Sequence, residues 1–277
     1  MNIKSKYILK QIFNSIEIKN LLKIVKYNKI IQEKLEIGIK DYQDFIGTIE
    51  IEIIPPKFKS GKDNINIYYT FINYKINEKR HFHIYLNNKK NQIKDNFLRN
   101  DEKGVNKIII IIDKGAKSFN GLFEYCNGIE KIKFIKFYRQ DIIDMSNMFY
   151  WCDNLIEANF ENFKTKNVIN MSRMFYKCEK LRSINLNNFD TTNVISMNSM
   201  FKECSSLQKV VIKNFKTDNV KDMTCMFGDC KLLSDINISN LNLKNVKHMI
   251  RMFFPAKNDM KIKLKKQNKY LRDEAFE

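Results

Sequence analysis

The second half of the chain carries a hydrophobic pattern that repeats every 26 residues. Cysteine, phenylalanine and two methionine positions recur in one order, each 26 residues after the last. The in-register cysteines are Cys126, Cys152, Cys178, Cys204 and Cys230. Because a unit with a single apolar side cannot bury that side alone, the pattern predicts that successive units stack and share one core.

Each unit contains two kinds of hydrophobic spacing. In segment 171–178 the apolar residues lie at i, i+3, i+4 and i+7, which predicts one face of a short helix. Ile184 and Leu186 alternate with polar residues, which predicts a short strand. An asparagine recurs at the polar turn before each helix, where its amide can satisfy backbone groups. These residues are Asn167, Asn193, Asn219 and Asn245.

Segment 167–181, which reads NVINMSRMFYKCEKL, carries a family resemblance. It resembles the BspA-like leucine-rich repeats, and more specifically the 26-residue repeats of Mycoplasma-type surface lipoproteins. The resemblance covers about residues 116–256. It implies a right-handed leucine-rich-repeat solenoid that serves adhesion or protein recognition rather than chemistry. The expected fold class is therefore α/β, a solenoid with a short strand and a short helix in each unit.

The first third of the chain has a different pattern. Helical spacing predicts two helices in a helical segment at 1–45, which faintly resembles an F-box without its opening Leu-Pro and late Trp. Alternation at 49–53, 65–69 and 82–86 predicts three strands in a small β-rich segment at 46–102.

The remaining boundaries follow from where the 26-residue pattern starts and fades. Residues 103–256 are assigned to the solenoid, with 103–115 as its capping strand. Residues 257–277 are lysine-rich and predict a basic C-terminal cap or tail.

Composition limits the classes of function. The 277 residues include 49 Lys+Arg and 31 Asp+Glu, a formal charge of +18, and this charge is spread along the whole chain. A nucleic-acid binder more often concentrates its charge, so nucleic acid or anionic lipid is a partner that we do not favour. No apolar run approaches the roughly 20 residues of a membrane span. No export signal or lipoprotein cysteine precedes Cys126, so we expect a cytoplasmic protein, with the cell surface as a minor alternative.

The sequence predicts no catalytic, metal or cofactor site. The periodic cysteines lack the close pairing of zinc ligands, and they share the methionine and phenylalanine face, which indicates core packing. Cys225 breaks the period and is expected to be exposed. His81 and His83 lie at i, i+2, but no further metal ligands are evident nearby. With no G-x-S-x-G or H-E-x-x-H motif, we expect a protein that is not an enzyme and that has no cofactor.

Two groups of residues are candidates for binding a partner. Tyr150, Trp151 and Tyr176 lie within the two positions just before Cys152 and Cys178, and the single tryptophan makes them a hot-spot candidate. Packing against the N-terminal segment is an equal alternative. The outward strand positions mix both signs of charge, which favours a protein or peptide over a phosphate backbone. The candidates there are Glu157, Asn159, Glu161, Asn185, Asn187, Lys209 and Lys213.

The expected function is therefore a non-enzymatic scaffold that binds a protein or peptide partner through its repeat surface. A first alternative is a ubiquitin-ligase substrate adaptor, in which the helices of 5–35 dock the ligase. A second is a basic protein that binds nucleic acid or an anionic membrane. The sequence does not identify the partner.

Overall fold

A computed structural model describes Lys29 and residues 47–57, 68–73, 76–87, 89, 91–99, 102, 104–116, 118–137 and 139–277. Apart from Lys29 and Gly47, these residues belong to one compact unit, Thr48–Glu277. The predicted helical segment 1–45, and with it the F-box-like pattern, lies outside the described residues except for Lys29. The first half of the strand predicted at 65–69 lies outside them as well.

The described part of Thr48–Glu277 contains eleven strands and, at its C-terminal end, one α-helix. Two short 3₁₀ helices lie at Ile76–His81 and Asp273–Phe276. The strands are β1 (Ile49–Ile54), β2 (Tyr68–Thr70), β3 (Phe82–Leu86), β4 (Gln92–Ile93), β5 (Phe97–Arg99), β6 (Ile108–Ile112), β7 (Lys131–Phe137), β8 (Glu157–Asn159), β9 (Ser183–Asn185), β10 (Lys209–Val211) and β11 (Asp235–Ile236). The helix is α1 (Asn258–Gln267).

The first sheet has six strands in the order β4-β3-β6-β1-β7-β8. Its central strand β1 pairs antiparallel with β6 on one side and with β7 on the other. Ile49, Ile51 and Ile53 of β1 are fully buried and alternate with two glutamates, the pattern of a half-buried strand. The strand beside β7 is thus β1, and the segment expected to cap the solenoid forms β6, one strand further away.

The 26-residue units add short strands in parallel. β7 pairs with β8, and β10 pairs with β9 and β11, in each case between residues 26 positions apart. β8 and β9 also contact each other. A second line of parallel bridges joins neighbouring units through Asp144, Asn170, Ser196, Asp222 and His248. Each unit is therefore held to the next at two places along its backbone.

The predicted fold class, an α/β leucine-rich-repeat solenoid with a strand and a helix per unit, is wrong. The regular secondary structure of the described chain is mostly strand, arranged in three sheets, and it does not form a helix–strand solenoid. Segment 171–178, predicted as a helix, is a series of tight turns. The Met174 N–H donates to the Met171 carbonyl, three residues back, whereas the Phe175 N–H donates to Met200 in the next unit. An α-helix would instead bond each N–H four residues back.

Backbone conformation explains why the helix does not form. Arg173 and Lys177 have φ values of 54° and 55°, in the left-handed region that interrupts a right-handed helix. Each lies third in a turn closed by an i to i+3 bond, the position where type II turns require positive φ. The turns still direct the apolar residues at i, i+3, i+4 and i+7 inward, so the hydrophobic spacing resembles that of a helix.

The core of the units consists of side-chain ladders. Phe123, Phe149, Phe175, Phe201, Phe227 and Phe253 stack with neighbouring ring centroids 5.2–5.4 Å apart. The in-register methionines and cysteines are buried beside them, as their spacing predicted. Each in-register thiol from Cys152 onward donates to the carbonyl 29 residues earlier, as Cys178 does to Phe149 at 3.2 Å. The ladders make the core continuous from one unit to the next.

The C-terminal residues cover the last unit. The Asn268 amide donates to the carbonyls of Ile238 and Leu241, as the asparagines of earlier units do to theirs. The Phe253 N–H donates to the Ala275 carbonyl at 2.8 Å, and Phe276 stacks on Phe253. The end of the chain therefore pairs the edge that the last unit would otherwise leave open.

Candidate functional site

The most distinctive surface is an aromatic cluster, defined here as Tyr125, Tyr150, Trp151 and Tyr176. These residues occupy the two positions before the buried cysteine in three successive units. The Tyr125 N–H donates to the Tyr150 carbonyl at 2.8 Å, and the Trp151 N–H to Tyr176 at 2.7 Å. Because these bonds join adjacent units, residues far apart in sequence lie side by side.

The rings of the aromatic cluster contact one another in several orientations. Tyr150 stacks on Tyr176, with centroids 4.9 Å apart and an angle of 11° between planes. Tyr125 lies edge-on to Tyr150 at 5.4 Å and tilted against Trp151 at 5.7 Å. Tyr125 is 55% exposed and Trp151 is 39% exposed, although both rings pack against neighbouring aromatic rings. The cluster thus presents apolar surface whose conformation is already fixed by neighbouring rings.

Charged side chains hold one end of the aromatic cluster. The Lys177 ammonium lies 4.0 Å above the Trp151 ring and 3.2 Å from the Glu203 carboxylate. The Tyr176 hydroxyl donates to Glu203 Oε1 at 2.5 Å, and Lys202 lies 3.6 Å from the same oxygen. These contacts fix the orientation of Tyr176 and Trp151.

Ionisation states follow from this network. Partial burial raises the pKa of Tyr176, and its hydrogen bond to the Glu203 carboxylate raises it further. Burial also acts to raise the pKa of Glu203, but the bonds from Tyr176 and Lys177 and the nearby lysine charges lower it overall. At neutral pH the phenol therefore remains a donor and the carboxylate remains charged.

Comparison with known proteins gives a family for the 26-residue units. The family model described as "Mycoplasma protein of unknown function, DUF285" matches residues 117–211 and 143–267, together more than half of the chain. The chain belongs to this family. The match carries neither a BspA nor a leucine-rich-repeat name, so it supports only the Mycoplasma part of the resemblance drawn from the sequence. No curated protein and no solved structure matched this DUF285 protein.

The structure brings the predicted aromatic residues Tyr150, Trp151 and Tyr176 together and adds one that the sequence analysis missed. Tyr125 directly precedes Cys126, the same register position that Trp151 holds before Cys152. Alignment of all units on their cysteines would have found it. Lys177 and Glu203 hold the same register position before Cys178 and Cys204, so this alignment would also have placed them beside Trp151.

The predicted strand-face asparagines largely serve the protein's own backbone. Asn159 Oδ1 accepts the N–H of Glu161 at 2.9 Å, and Asn185 Oδ1 accepts that of Asn187 at 3.1 Å. Asn187 Oδ1 in turn accepts the N–H of Lys213 at 2.9 Å. These side chains shape the turns after the strands, so less of their hydrogen-bonding capacity is left for a partner.

The charged residues of the strand face are exposed, and two of them are paired. Lys209 lies 2.6 Å from Asp235, and Glu157 lies 3.1 Å from Lys131. Glu157, Asn159, Glu161 and Asn185 line one shallow depression. Exposed ion pairs contribute little energy, so this face is the weaker of the two candidate surfaces.

The described residues offer no metal site. His81 and His83 both face Asp113, at 2.8 and 4.0 Å, but no group of three or more potential ligands could hold an ion in this part of the chain. Cys225, expected to be exposed, is half-buried. None of the helices that the structure describes has the length and apolar character needed to cross a membrane.

Proposed function

We propose that this DUF285 protein is a non-enzymatic recognition protein that binds a protein or peptide partner through the aromatic cluster. The observation that carries the proposal is the exposure of Trp151, the only tryptophan of the chain, next to the still more exposed Tyr125. Tryptophan and tyrosine dominate the energetic centres of protein interfaces.

The fixed geometry of the aromatic cluster supports this function. Binding costs free energy when flexible side chains must be ordered. The rings of Tyr150 and Trp151 are already held by Tyr176 and Lys177, so little ordering remains. The mixture of lysine and glutamate beside the rings gives a polar rim around an apolar centre, as in many protein interfaces.

The experiment is a capture of partners from lysate of the source organism with three versions of the full chain. One is unchanged, one carries Tyr125→Ala and Trp151→Ala, and a matched control carries Ile169→Ala and Ile195→Ala, two exposed residues outside the cluster. The aromatic changes should weaken binding by about 2 kcal/mol or more, roughly thirtyfold in Kd. Equal capture by all three versions would contradict the proposal.

A basic binder of nucleic acid or anionic membrane is the second candidate, and the net charge of +18 favours it. Such binding falls steeply between low and moderate salt, whereas binding through the aromatic cluster should not. A salt titration of the captured complex separates the two. The ligase-adaptor alternative rests on residues 1–45, for which the described structure supplies no support.

We further propose a cytoplasmic location, with the cell surface as the alternative. The six cysteines are free, and five of them are buried, which suits a reducing compartment. The relationship to BspA-like proteins, which we propose from the motif in segment 167–181, favours the surface instead. Protease treatment of intact cells, followed by detection of the protein, decides between them.

A further inference from the structure

A cavity of about 370 Å³ opens between the last 26-residue unit and helix α1. In the earlier units, the residue 26 positions after each in-register cysteine is another cysteine. The apolar residue three positions after the cysteine recurs with the same spacing. After Cys230 and Leu233, these positions hold Ala256 and Asp259. The side chains that would close the next unit are therefore absent, and α1 covers the gap only in part.

The inner surface of the cavity is mainly apolar. Its lining includes Phe227 and Phe253, the last rings of the phenylalanine ladder, together with Leu233 and Met260. Leu232, also in the lining, is 53% exposed. Cys230 is 8% exposed, whereas the four earlier ladder cysteines are fully buried. Apolar core surface thus reaches solvent at this point.

The charged residues of the lining are mainly basic. They are Lys231, Lys257 and Lys263, with Asp259 as the one acidic side chain. The Lys263 ammonium donates to the Ser234 carbonyl at 3.0 Å. Within the described residues, neither Lys231 nor Lys257 forms an ion pair, in contrast to Lys261 and Lys265 of the same region, which both contact Asp273.

The start of α1 supplies further hydrogen-bond donors, next to the negative charge of Asp259 in its first turn. Lys257 precedes the first helical residue, and no side chain caps the helix N-terminus. The first N–H groups of a helix lack partners within the helix and favour a negative charge. Cavities of about 300 Å³ and larger, apolar inside with a few polar groups, are typical of small-molecule sites.

We propose that this cavity binds an anionic amphiphile, with its alkyl chain against Leu233, Phe253 and Met260 and its carboxylate or phosphate among Lys231, Lys257 and Lys263. The site is separate from the aromatic cluster, so the proposal does not depend on the proposed function. The apolar lining explains the need for a chain, and the excess of lysine selects a negative headgroup over a neutral or positive one.

The test is calorimetric titration of the full chain with four probes. The probes differ in the length of the alkyl chain or in the sign of the headgroup charge. Decanoate and decyl phosphate carry chain and negative headgroup, butyrate lacks the long chain, and decyltrimethylammonium reverses the charge. Decanoate or decyl phosphate should bind at least about tenfold more tightly than either of the other two probes. Equal binding of decanoate and decyltrimethylammonium would overturn the proposal, as would no binding of either anionic probe below its micelle-forming concentration.

Variants locate the binding within the molecule. Lys231→Glu with Lys257→Glu should weaken binding of the anionic probe about tenfold or more, because both lysines line the cavity. Lys266→Glu is the matched control, since Lys266 lies on the same helix but outside the lining. Ala256→Leu should fill the space and weaken binding, with thermal unfolding used to verify that it folds. If Lys266→Glu matches the double variant, or if Trp151→Ala abolishes binding, the cavity is not the site.

Discussion

The antiparallel part of the first sheet and the 26-residue units satisfy their backbone polar groups in different ways. β1 pairs along its length with β6 and β7, so backbone bonds to backbone. The strands β8 to β11 contain only two or three residues each, and side chains supply many of the remaining bonds between units. The two regions therefore depend on different features of the sequence.

In the units, small polar side chains take the place of a longer strand. The Asn193 amide donates to the Lys166 carbonyl at 2.8 Å, and Asn167, Asn219 and Asn245 make the same contact in their own units. Thr191 Oγ1 donates to the Lys216 carbonyl and accepts its N–H. In the sheet, the alternation of isoleucine and glutamate along β1 buries one face, and the backbone groups pair with one another without help from side chains. The stability of the units should therefore depend on the hydrogen bonds of these polar side chains, whereas the stability of the sheet should not.

The largest effect should come from interrupting the phenylalanine ladder, which only the units possess. Phe175 is fully buried and lies 5.3 Å from both Phe149 and Phe201. Phe175→Ala leaves a cavity shared by three units and should lower the free energy of unfolding by about 3–5 kcal/mol in urea denaturation. Phe254→Ala, at an exposed ring, is the control and should change it by less than about 1 kcal/mol. Similar losses for both would mean that the ladder is not the core of the units.

A smaller but more specific effect is expected from Thr191→Val, which keeps the shape and removes the hydroxyl. Thr191 is fully buried, so the N–H and carbonyl of Lys216 would each lose this partner. The expected loss of unfolding free energy is about 1–3 kcal/mol. Thr191→Ser restores the hydroxyl and should recover most of it. A neutral Thr191→Val would refute the idea that side-chain hydrogen bonds hold the units together.

A change in the sheet that removes buried volume but no hydrogen bond should lower the free energy of unfolding less. Ile51 is fully buried in β1 and pairs with Ile110 and Phe134 through the backbone. Ile51→Val removes one methylene group and should cost about 0.5–1.5 kcal/mol, because every backbone hydrogen bond is kept. Chemical denaturation of both variants under one condition makes the comparison direct. If Ile51→Val costs more than about 1.5 kcal/mol while Thr191→Val costs less than about 1 kcal/mol, the contrast between the two regions fails.

The sequence predicted the buried residues of the units better than their backbone. Spacing placed Met171, Phe175 and Cys178 in the core because burial depends on which side chains share a face, and turns and helices can share that spacing. It could not predict the positive φ of Arg173 and Lys177, because the hydrogen bonds that favour these conformations come from a neighbouring unit. Residues other than glycine rarely adopt positive φ. Gly121, with φ 65°, marks the register position of Arg173 in the first unit, but no glycine marks the position of Lys177.

The candidate sites show the same limit. The 26-residue register alone is enough to place four aromatic residues next to one another, since equal positions in successive units become neighbours. These residues are Tyr125, Tyr150, Trp151 and Tyr176. The sequence analysis did not detect the cavity near Ala256, because it depends on how α1 packs where the pattern ends. Contacts that follow from the period were thus predictable, whereas contacts with parts of the chain outside the period were not.

The smallest expected effect is a difference in thiol reactivity rather than a loss of stability. It distinguishes the in-register ladder thiols from Cys225, the one cysteine outside the ladder. Burial raises the pKa of the ladder thiols, that of Cys230 to about 12 and that of Cys178 well above its usual value. Thiolate is the reactive form, so these groups should be inert near pH 8, while half-buried Cys225 should react. A thiol-reactive dye should label one of the six cysteines in the folded protein and all six after denaturation. Cys225→Ser should remove the native labelling, and persistence of that labelling would show that the ladder opens without unfolding.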